Sequence, residues 1–133
     1  MEIKRIINAT PHDIRIGNVT FPVMPSMPAA KVGEIHSNSR HVHVGGCEVE
    51  IVDKQYDGLE GLPPEQEGIY YIVPAMVAFY DYLTSQTPRQ DLLTVSDVIR
   101  NQNGRKMGAK SLARLNFDNL GVTKHEEVLV ATN

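Results

Sequence analysis

The sequence of 133 residues is poor in cysteine, in aromatic residues and in long apolar runs. Its one cysteine, Cys47, has no partner for an internal disulfide, so we expect a reducing compartment such as the cytoplasm. No stretch approaches the roughly 20 apolar residues that a membrane-spanning helix needs, and residues 1–7 lack the apolar run of a signal peptide. We therefore expect a cytoplasmic protein that does not contact a membrane.

Charge and motifs exclude further classes of protein. The net charge is −3, whereas a dedicated nucleic-acid-binding protein usually has a basic surface, so a nucleic-acid partner is not expected. The sequence has no P-loop, no GxSxG and no HExxH, so it carries no strong catalytic signature and we expect no cofactor. The length predicts a single domain over residues 1–133. After about residue 124 a terminal strand at 127–131 and a flexible tail both remain open.

Apolar residues that alternate with polar ones, between turn dipeptides, predict a sheet built of β-hairpins. Gly17-Asn18, Gly45-Gly46 and Asn103-Gly104 each supply the backbone of a tight turn. The hairpins predicted around them pair 14–16 with 19–23, 40–44 with 47–52, and 97–101 with 105–113. Further strands are predicted at 3–8, 31–35, 69–73 and 91–95.

One helix and one long loop complete the predicted fold. Apolar residues recur at helical spacing after Pro74, which suits a first helical turn, so a helix is expected over about 75–85. Residues 53–68 are rich in glycine, proline and acid and are predicted to form the longest loop, while 24–30 form a shorter one. The predicted fold class is α+β: a small, mostly antiparallel sheet of hairpins with one main helix.

The predicted hairpin at 40–52 carries three candidate metal ligands. His41 and His43 share a face of a strand, and imidazole and thiolate are good zinc ligands, so Cys47 is the third candidate. The spacing matches no known zinc motif and no fourth ligand is apparent. An exposed polar hairpin face is therefore the favoured interpretation, and we predict no metal.

Other polar residues are candidates for binding or acid–base chemistry. His12 lies beside Asp13 and would be the acid–base residue if the protein were an enzyme, although a histidine that fastens a turn is the favoured interpretation. Arg89 and Asp91 would either clamp a ligand or form a surface ion pair. A basic segment could hold a phosphate or form a solvated hairpin face, and it comprises Arg100, Arg105, Lys106, Lys110 and Arg114.

Several short segments, in order, resemble a family of small uncharacterised proteins of bacteriophages, actinobacteria and fungi. Asn8–Ile14 is similar to an N-L-T-P-H-x-I opening, and Gly61-Leu62-Pro63 followed by Tyr71-Ile72-Val73 is similar to G-L-P with Y-I-V-S. Three further segments are similar to the family pattern. Residues 25–32 are similar to P-S-G-x-x-A-R-V, residues 89–91 to R-x-D, and residues 99–108 to V-R-D-x-x-G-x-x-x-G. The likeness spans about residues 8–112. The sequence departs from the family pattern at three positions: it has Lys31 where the pattern has Arg, Pro74 where it has Ser, and Asn101 where it has Asp.

The resemblance implies a phage source but no established activity. Its polar positions, with Arg105 added from the basic segment, are the predicted ligand-binding residues: Thr10, His12, Ser26, Lys31, Arg89, Asp91, Arg100 and Arg105. Such a set suits an anionic small molecule. The leading hypothesis is a phage protein that sequesters a nucleotide-like signal of host defence, in the host cytoplasm and as a homo-oligomer. The alternatives are an enzyme that degrades such a signal, with His12 as acid–base residue, and an interaction module that inhibits a host protein through 53–68 and the exposed hairpin.

Overall fold

The computed structural model describes residues 2–116, which form eight strands and one helix. The helix, α1, is Ala75–Thr84 and confirms the predicted helix. The strands are β1 (Arg5–Asn8), β2 (Ile14–Ile16), β3 (Val19–Phe21), β4 (Lys31–Val44), β5 (Cys47–Glu60), β6 (Ile69–Ile72), β7 (Leu92–Arg100) and β8 (Lys106–Ala113). The predicted tail and the possible strand at 127–131 lie outside the described residues.

The predicted α+β class is wrong, because the chain is mostly β. Strands account for 52% of the described residues and the helix for 9%. Six strands form one sheet in the order β1-β6-β7-β8-β2-β3, and β4 pairs with β5 alone. Among the described residues there is one helix, and part of the predicted long loop belongs to a strand. The described part of the chain is therefore a β-rich fold.

The six-stranded sheet is mixed, which corrects the expectation of a mostly antiparallel sheet. β1 pairs with β6, β6 with β7, and β8 with β2 in parallel, whereas the hairpins β2–β3 and β7–β8 are antiparallel. Parallel neighbours need a long crossover, and α1 provides one between β6 and β7. The alternation of apolar and polar residues indicates which face of a sheet a residue occupies, but it does not indicate the direction of the neighbouring strand. The parallel pairings were therefore not predicted.

The side chain of Asn8 draws the two ends of the sheet together. Asn8 ends β1 and is 2% exposed. Its amide nitrogen donates to the carbonyl oxygens of His12 (2.7 Å) and of Phe21 in β3 (2.8 Å). Its amide oxygen accepts from the backbone N–H of Thr10 (2.9 Å) and from the Thr10 hydroxyl (2.6 Å). The sheet is therefore nearly closed, like a barrel, through one fully hydrogen-bonded amide.

The central hairpin is far longer than predicted. β4 and β5 have 14 residues each and turn at Gly45-Gly46, whose φ angles of 58° and 79° confirm the predicted two-residue turn. Because β5 continues to Glu60, the predicted loop over 53–68 is wrong for its first half. Val32 and Leu59 pack on the core. Beyond them, residues 34–56 form an arm in which nearly every residue is exposed.

The core lies between α1 and the parallel part of the sheet. Val77 and Ala78 of α1 are buried with Tyr71 and Val73, at and just after the end of β6. β6, whose sequence is apolar, lies between β1 and β7 in the sheet. The core therefore fixes the carboxyl end of β6 against the start of α1.

Replacing Asn8 with Asp tests the closure of the sheet. The carboxylate keeps the acceptor oxygens but loses both donors and meets the carbonyl oxygens of His12 and Phe21 instead. We expect a loss of about 3 kcal/mol or more in the free energy of unfolding, measured by urea denaturation. The control is Asn18→Asp in the exposed β2–β3 turn, where a change within about 0.5 kcal/mol is expected. Equal effects of the two substitutions would contradict this role of Asn8.

Candidate functional site

A cleft of about 720 Å³ opens where β6 ends and β7 continues. β7 pairs with β6 only as far as Leu93 and then extends to Arg100, so the sheet has a step at this point. Residues 10–15 and 73–75 line the cleft on one side, and parts of β7 and β8 line it on the other. The cleft therefore lies beyond the carboxyl ends of the parallel strands β1 and β6, which is where sheets of parallel strands commonly bind ligands.

The lining of the cleft combines apolar walls with basic groups. The apolar part includes Pro11, Ile14, Val73, Val95, Val98 and Met107. Among the described lining residues, the basic ones are His12, Arg15 and Lys106 and the only acidic one is Asp13. Arg15 Nε donates to the carbonyl oxygen of Gly17 at 3.1 Å. Asp13 Oδ1 accepts the backbone N–H of Val23 at 2.8 Å, so this carboxylate already has a structural partner. The arrangement favours a ligand with an apolar body and a negative charge.

Two other concavities lie elsewhere on the described part of the chain. One, of about 670 Å³ at the base of the arm, is lined by Lys31 together with Glu34, Asp57 and Glu60, so acidic groups predominate. The other, of about 230 Å³, lies beside the end of α1 and is lined by Asp81, Arg89 and Arg114, among others. The charge of the lining therefore selects the cleft over the larger of these two alternatives.

Among the predicted ligand-binding residues, Thr10 and His12 line the cleft together. Thr10 is buried, and its hydroxyl donates to Asn8, so it holds the turn after β1. His12 is exposed, and its backbone carbonyl accepts from Asn8. The segment that resembles N-L-T-P-H-x-I is thus a hydrogen-bonded turn that places the His12 imidazole at the cleft.

Arg89 and Asp91 form an internal clamp. Arg89 Nε and Nη2 donate to the two carboxylate oxygens of Asp91 at 2.9 and 2.7 Å, and Nη1 donates to the carbonyl oxygen of Pro63 at 2.6 Å. The two side chains are 14% and 9% exposed. The hydrogen bond to Asp91 raises the pKa of Arg89 above its ordinary value, and burial opposes this less strongly. Every nitrogen of the Arg89 guanidinium therefore donates a hydrogen bond within the protein. The segment similar to R-x-D thus has a structural role.

The clamp lies at a junction of four segments that suggested the family resemblance, namely 8–14, 25–32, 61–63 and 89–91. Through Pro63 it holds the Gly-Leu-Pro segment, and the backbone N–H of Arg89 donates to Asp81 of α1 at 2.8 Å. Gly61 has a φ of 75°, and a Cβ there would lie 2.5 Å from the carbonyl oxygen of Ala29, so only glycine fits without a backbone shift. Ala30 in turn donates to the carbonyl of Ala9 at 2.7 Å. The segments therefore meet in one packed junction.

The remaining predicted ligand-binding residues do not reach the cleft. Ser26 is exposed in the loop before β4, and Lys31 lies at the base of the arm. Arg100 donates to the carbonyl of Gly104 at 2.9 Å across the β7–β8 turn, and Arg105 is exposed in that turn. Asn101 Oδ1 accepts from two backbone N–H groups of the same turn, which an aspartate would also do. The structure thus distributes the predicted set over five places: the cleft, the Arg89 clamp, the loop before β4, the base of the arm and the β7–β8 turn.

The three weak metal candidates do not share a face. Val44 pairs with Cys47 and His43 with Glu48, and paired residues lie on the same face of an antiparallel hairpin, so Cys47 faces away from His41 and His43. His41 Nδ1 lies 2.8 Å from Glu48 Oε1. Within residues 2–116, no group of three or more His, Cys, Asp or Glu side chains is placed to hold a metal ion.

Arg15 and Lys106 are the site residues that the sequence did not single out together. Arg15 alternates with Ile14 and Ile16 on β2, and Lys106 belongs to the basic segment, so each fits a solvated strand face. The parallel pairing of β2 with β8 at Ile16 and Ala109 brings them to one cleft. Alternation placed Arg15 opposite the apolar face of β2, but the neighbouring strand could not be read from the sequence.

Comparisons with known proteins add no family. A scan against family models, a search of curated proteins and a search of solved structures each found no match. In the part of the chain that the structure describes, there is no helix long and apolar enough to cross a membrane.

Replacing Arg89 with Lys distinguishes a structural clamp from a ligand clamp. A lysine cannot hold both Asp91 oxygens and the Pro63 carbonyl, so we expect the free energy of unfolding to fall by about 2–4 kcal/mol. Chemical denaturation measures the change, with Arg105→Lys as the exposed control, expected within about 0.5 kcal/mol. Normal stability of the Arg89 variant would show that the clamp does not support the fold.

Proposed function

We propose that the protein binds an anionic, nucleotide-like small molecule in the cleft and sequesters it. The observation that carries this proposal is the combination of apolar walls with His12, Arg15 and Lys106 around one opening of about 720 Å³. Pockets for small molecules and cofactors commonly span about 300–1,000 Å³. A base or another flat apolar group would contact the apolar walls, and a phosphate would suit the guanidinium of Arg15 and the ammonium of Lys106.

Sequestration is favoured over turnover by the surroundings of His12. Its neighbour Asp13 is engaged by the backbone of Val23, so the carboxylate is not poised to orient the imidazole. Without a carboxylate that orients the imidazole, we expect the cleft to hold its ligand rather than to alter it. In a phage protein, a nucleotide signal of bacterial immunity would be a ligand of this chemistry, and its removal would be a counter-defence role.

A retention and release assay tests the proposal. The purified protein is incubated with a panel of cyclic oligonucleotides and NAD-derived nucleotides, freed of unbound ligand and heated, and the supernatant is analysed by mass spectrometry. Intact ligand in the supernatant is expected. Altered ligand would instead indicate an enzyme, with His12 as the first residue to replace. If the protein neither retains nor alters any member of the panel, the proposal fails.

Two substitutions locate the ligand once one is found. Arg15→Ala and Lys106→Ala each remove one charge from the cleft, and a charged hydrogen bond contributes about 1.5–3 kcal/mol, so each should weaken binding about tenfold or more in isothermal titration calorimetry. Lys31→Ala is the matched control, because it removes the same charge at the base of the arm. A loss confined to Lys31→Ala would place the ligand in the groove there and contradict the assignment to the cleft.

A further inference from the structure

The arm, residues 34–56, exposes both faces of a two-stranded sheet. Within it, only Val42 and Val52 are partly buried. A two-stranded hairpin is at best marginally stable in water, and usually a third strand or a packed helix is needed. An arm of this length therefore gains stability from a surface that covers one of its faces.

The register of β4 and β5 sorts the arm into two different faces. The valine face carries the apolar side chains of Ile35, Val42, Val44, Val49 and Ile51. Apart from Val42, these are between 39% (Ile51) and 64% (Val44) exposed. The opposite, histidine face carries Glu34, His36, His41, His43, Glu48 and Glu50. The valine face is thus an exposed apolar strip along the arm.

The charges of the valine face indicate what covers it. Arg40 and Asp53 are its two charged residues, with Arg40 Nη1 3.8 Å from Asp53 Oδ1. This pair lies midway along the strip, with the valines toward the tip and Ile35 toward the base. The face is therefore neutral overall, and a strongly charged partner would find no complement on it. A second copy of the chain has complementary charges, because its Arg40 and its Asp53 can each lie against the residue of opposite charge.

We propose that the valine faces of two copies of this chain pack on each other about a two-fold axis near Arg40 and Asp53. The axis sets Arg40 of each copy against Asp53 of the other and places the valines of each tip over Ile35 at the base of the other. Such a self-complementary contact is the commonest arrangement in homo-oligomers. This association is independent of the ligand proposed for the cleft.

The size of the face sets the expected strength of the dimer. Each strand of the arm is about 35 Å long, at roughly 3.4 Å per residue. Two such faces in contact bury on the order of 1,000 Å² in total, at the lower end of specific interfaces. The dimer should therefore be reversible and depend on protein concentration.

Sedimentation velocity over a concentration series tests the dimer. The mass should rise from the 14.8 kDa of one chain to twice that value as concentration increases. Val49→Glu places a charge in the apolar strip and should raise the dimer dissociation constant at least about tenfold. Tyr56→Glu is the control, since Tyr56 is similarly exposed but lies on the histidine face, and its dimer should match the unsubstituted protein. Circular dichroism establishes that each variant is folded.

Exchanging the central charges tests the two-fold axis directly. Arg40→Glu alone makes the centre of the contact entirely acidic, and Asp53→Arg alone makes it entirely basic, so each variant should be monomeric. An equimolar mixture of the two should restore dimers, because opposite charges then face each other across the axis. A chain that stays monomeric at every concentration, a dimer unaffected by Val49→Glu, or a mixture that stays monomeric would each overturn the proposal.

Discussion

The buried amide of Asn8 is the contact on which the rest of the fold depends. The six-stranded sheet has two ends, β1 and β3, and Asn8 connects them through the carbonyl of Phe21. The same side chain shapes the turn that follows β1 and so positions His12 at the cleft. Because an unpaired amide at this depth would be costly, all of its hydrogen bonds are made within the protein. Closure of the sheet and the shape of the cleft thus have one origin.

The Arg89 clamp has a similar role at another place beside the core. It connects the start of β7, the end of α1 and the Gly-Leu-Pro segment, while Gly61 allows that segment to lie against Ala29. Arg89–Asp91 and Gly61–Pro63 are two of the segments that suggested a resemblance to a family. Their roles here are packing and hydrogen bonding, so a pattern of shared polar residues is not by itself a map of a binding site. In this protein the cleft lies beside that junction and draws on other side chains.

Local features of the fold could be predicted from the sequence, and non-local ones could not. The turn at Gly45-Gly46 and the helix after Pro74 depend on residues a few positions apart, and both were predicted correctly. The parallel pairing of β1 with β6 joins distant residues and leaves no local pattern. The full length of β5 was missed because Gly58 and nearby acidic residues are typical of loops. For the same reason His12 was found from its own segment, whereas Arg15 and Lys106 meet only through the pairing of β2 with β8.

The arm also bears on how the chain can fold. Arg5 pairs with Ile69, about 64 positions later, and closing so long a loop is entropically unfavourable. Lys31 pairs with Glu60 at the base of the arm. Once β4 and β5 have paired, the loop to be closed between Arg5 and Ile69 is effectively shorter by about 28 residues. The shortening lowers the entropic cost of bringing β1 to β6 by about 0.5 kcal/mol. Hairpins form from local contacts and so form early. A segment that contacts little of the body thereby speeds the meeting of β1 and β6.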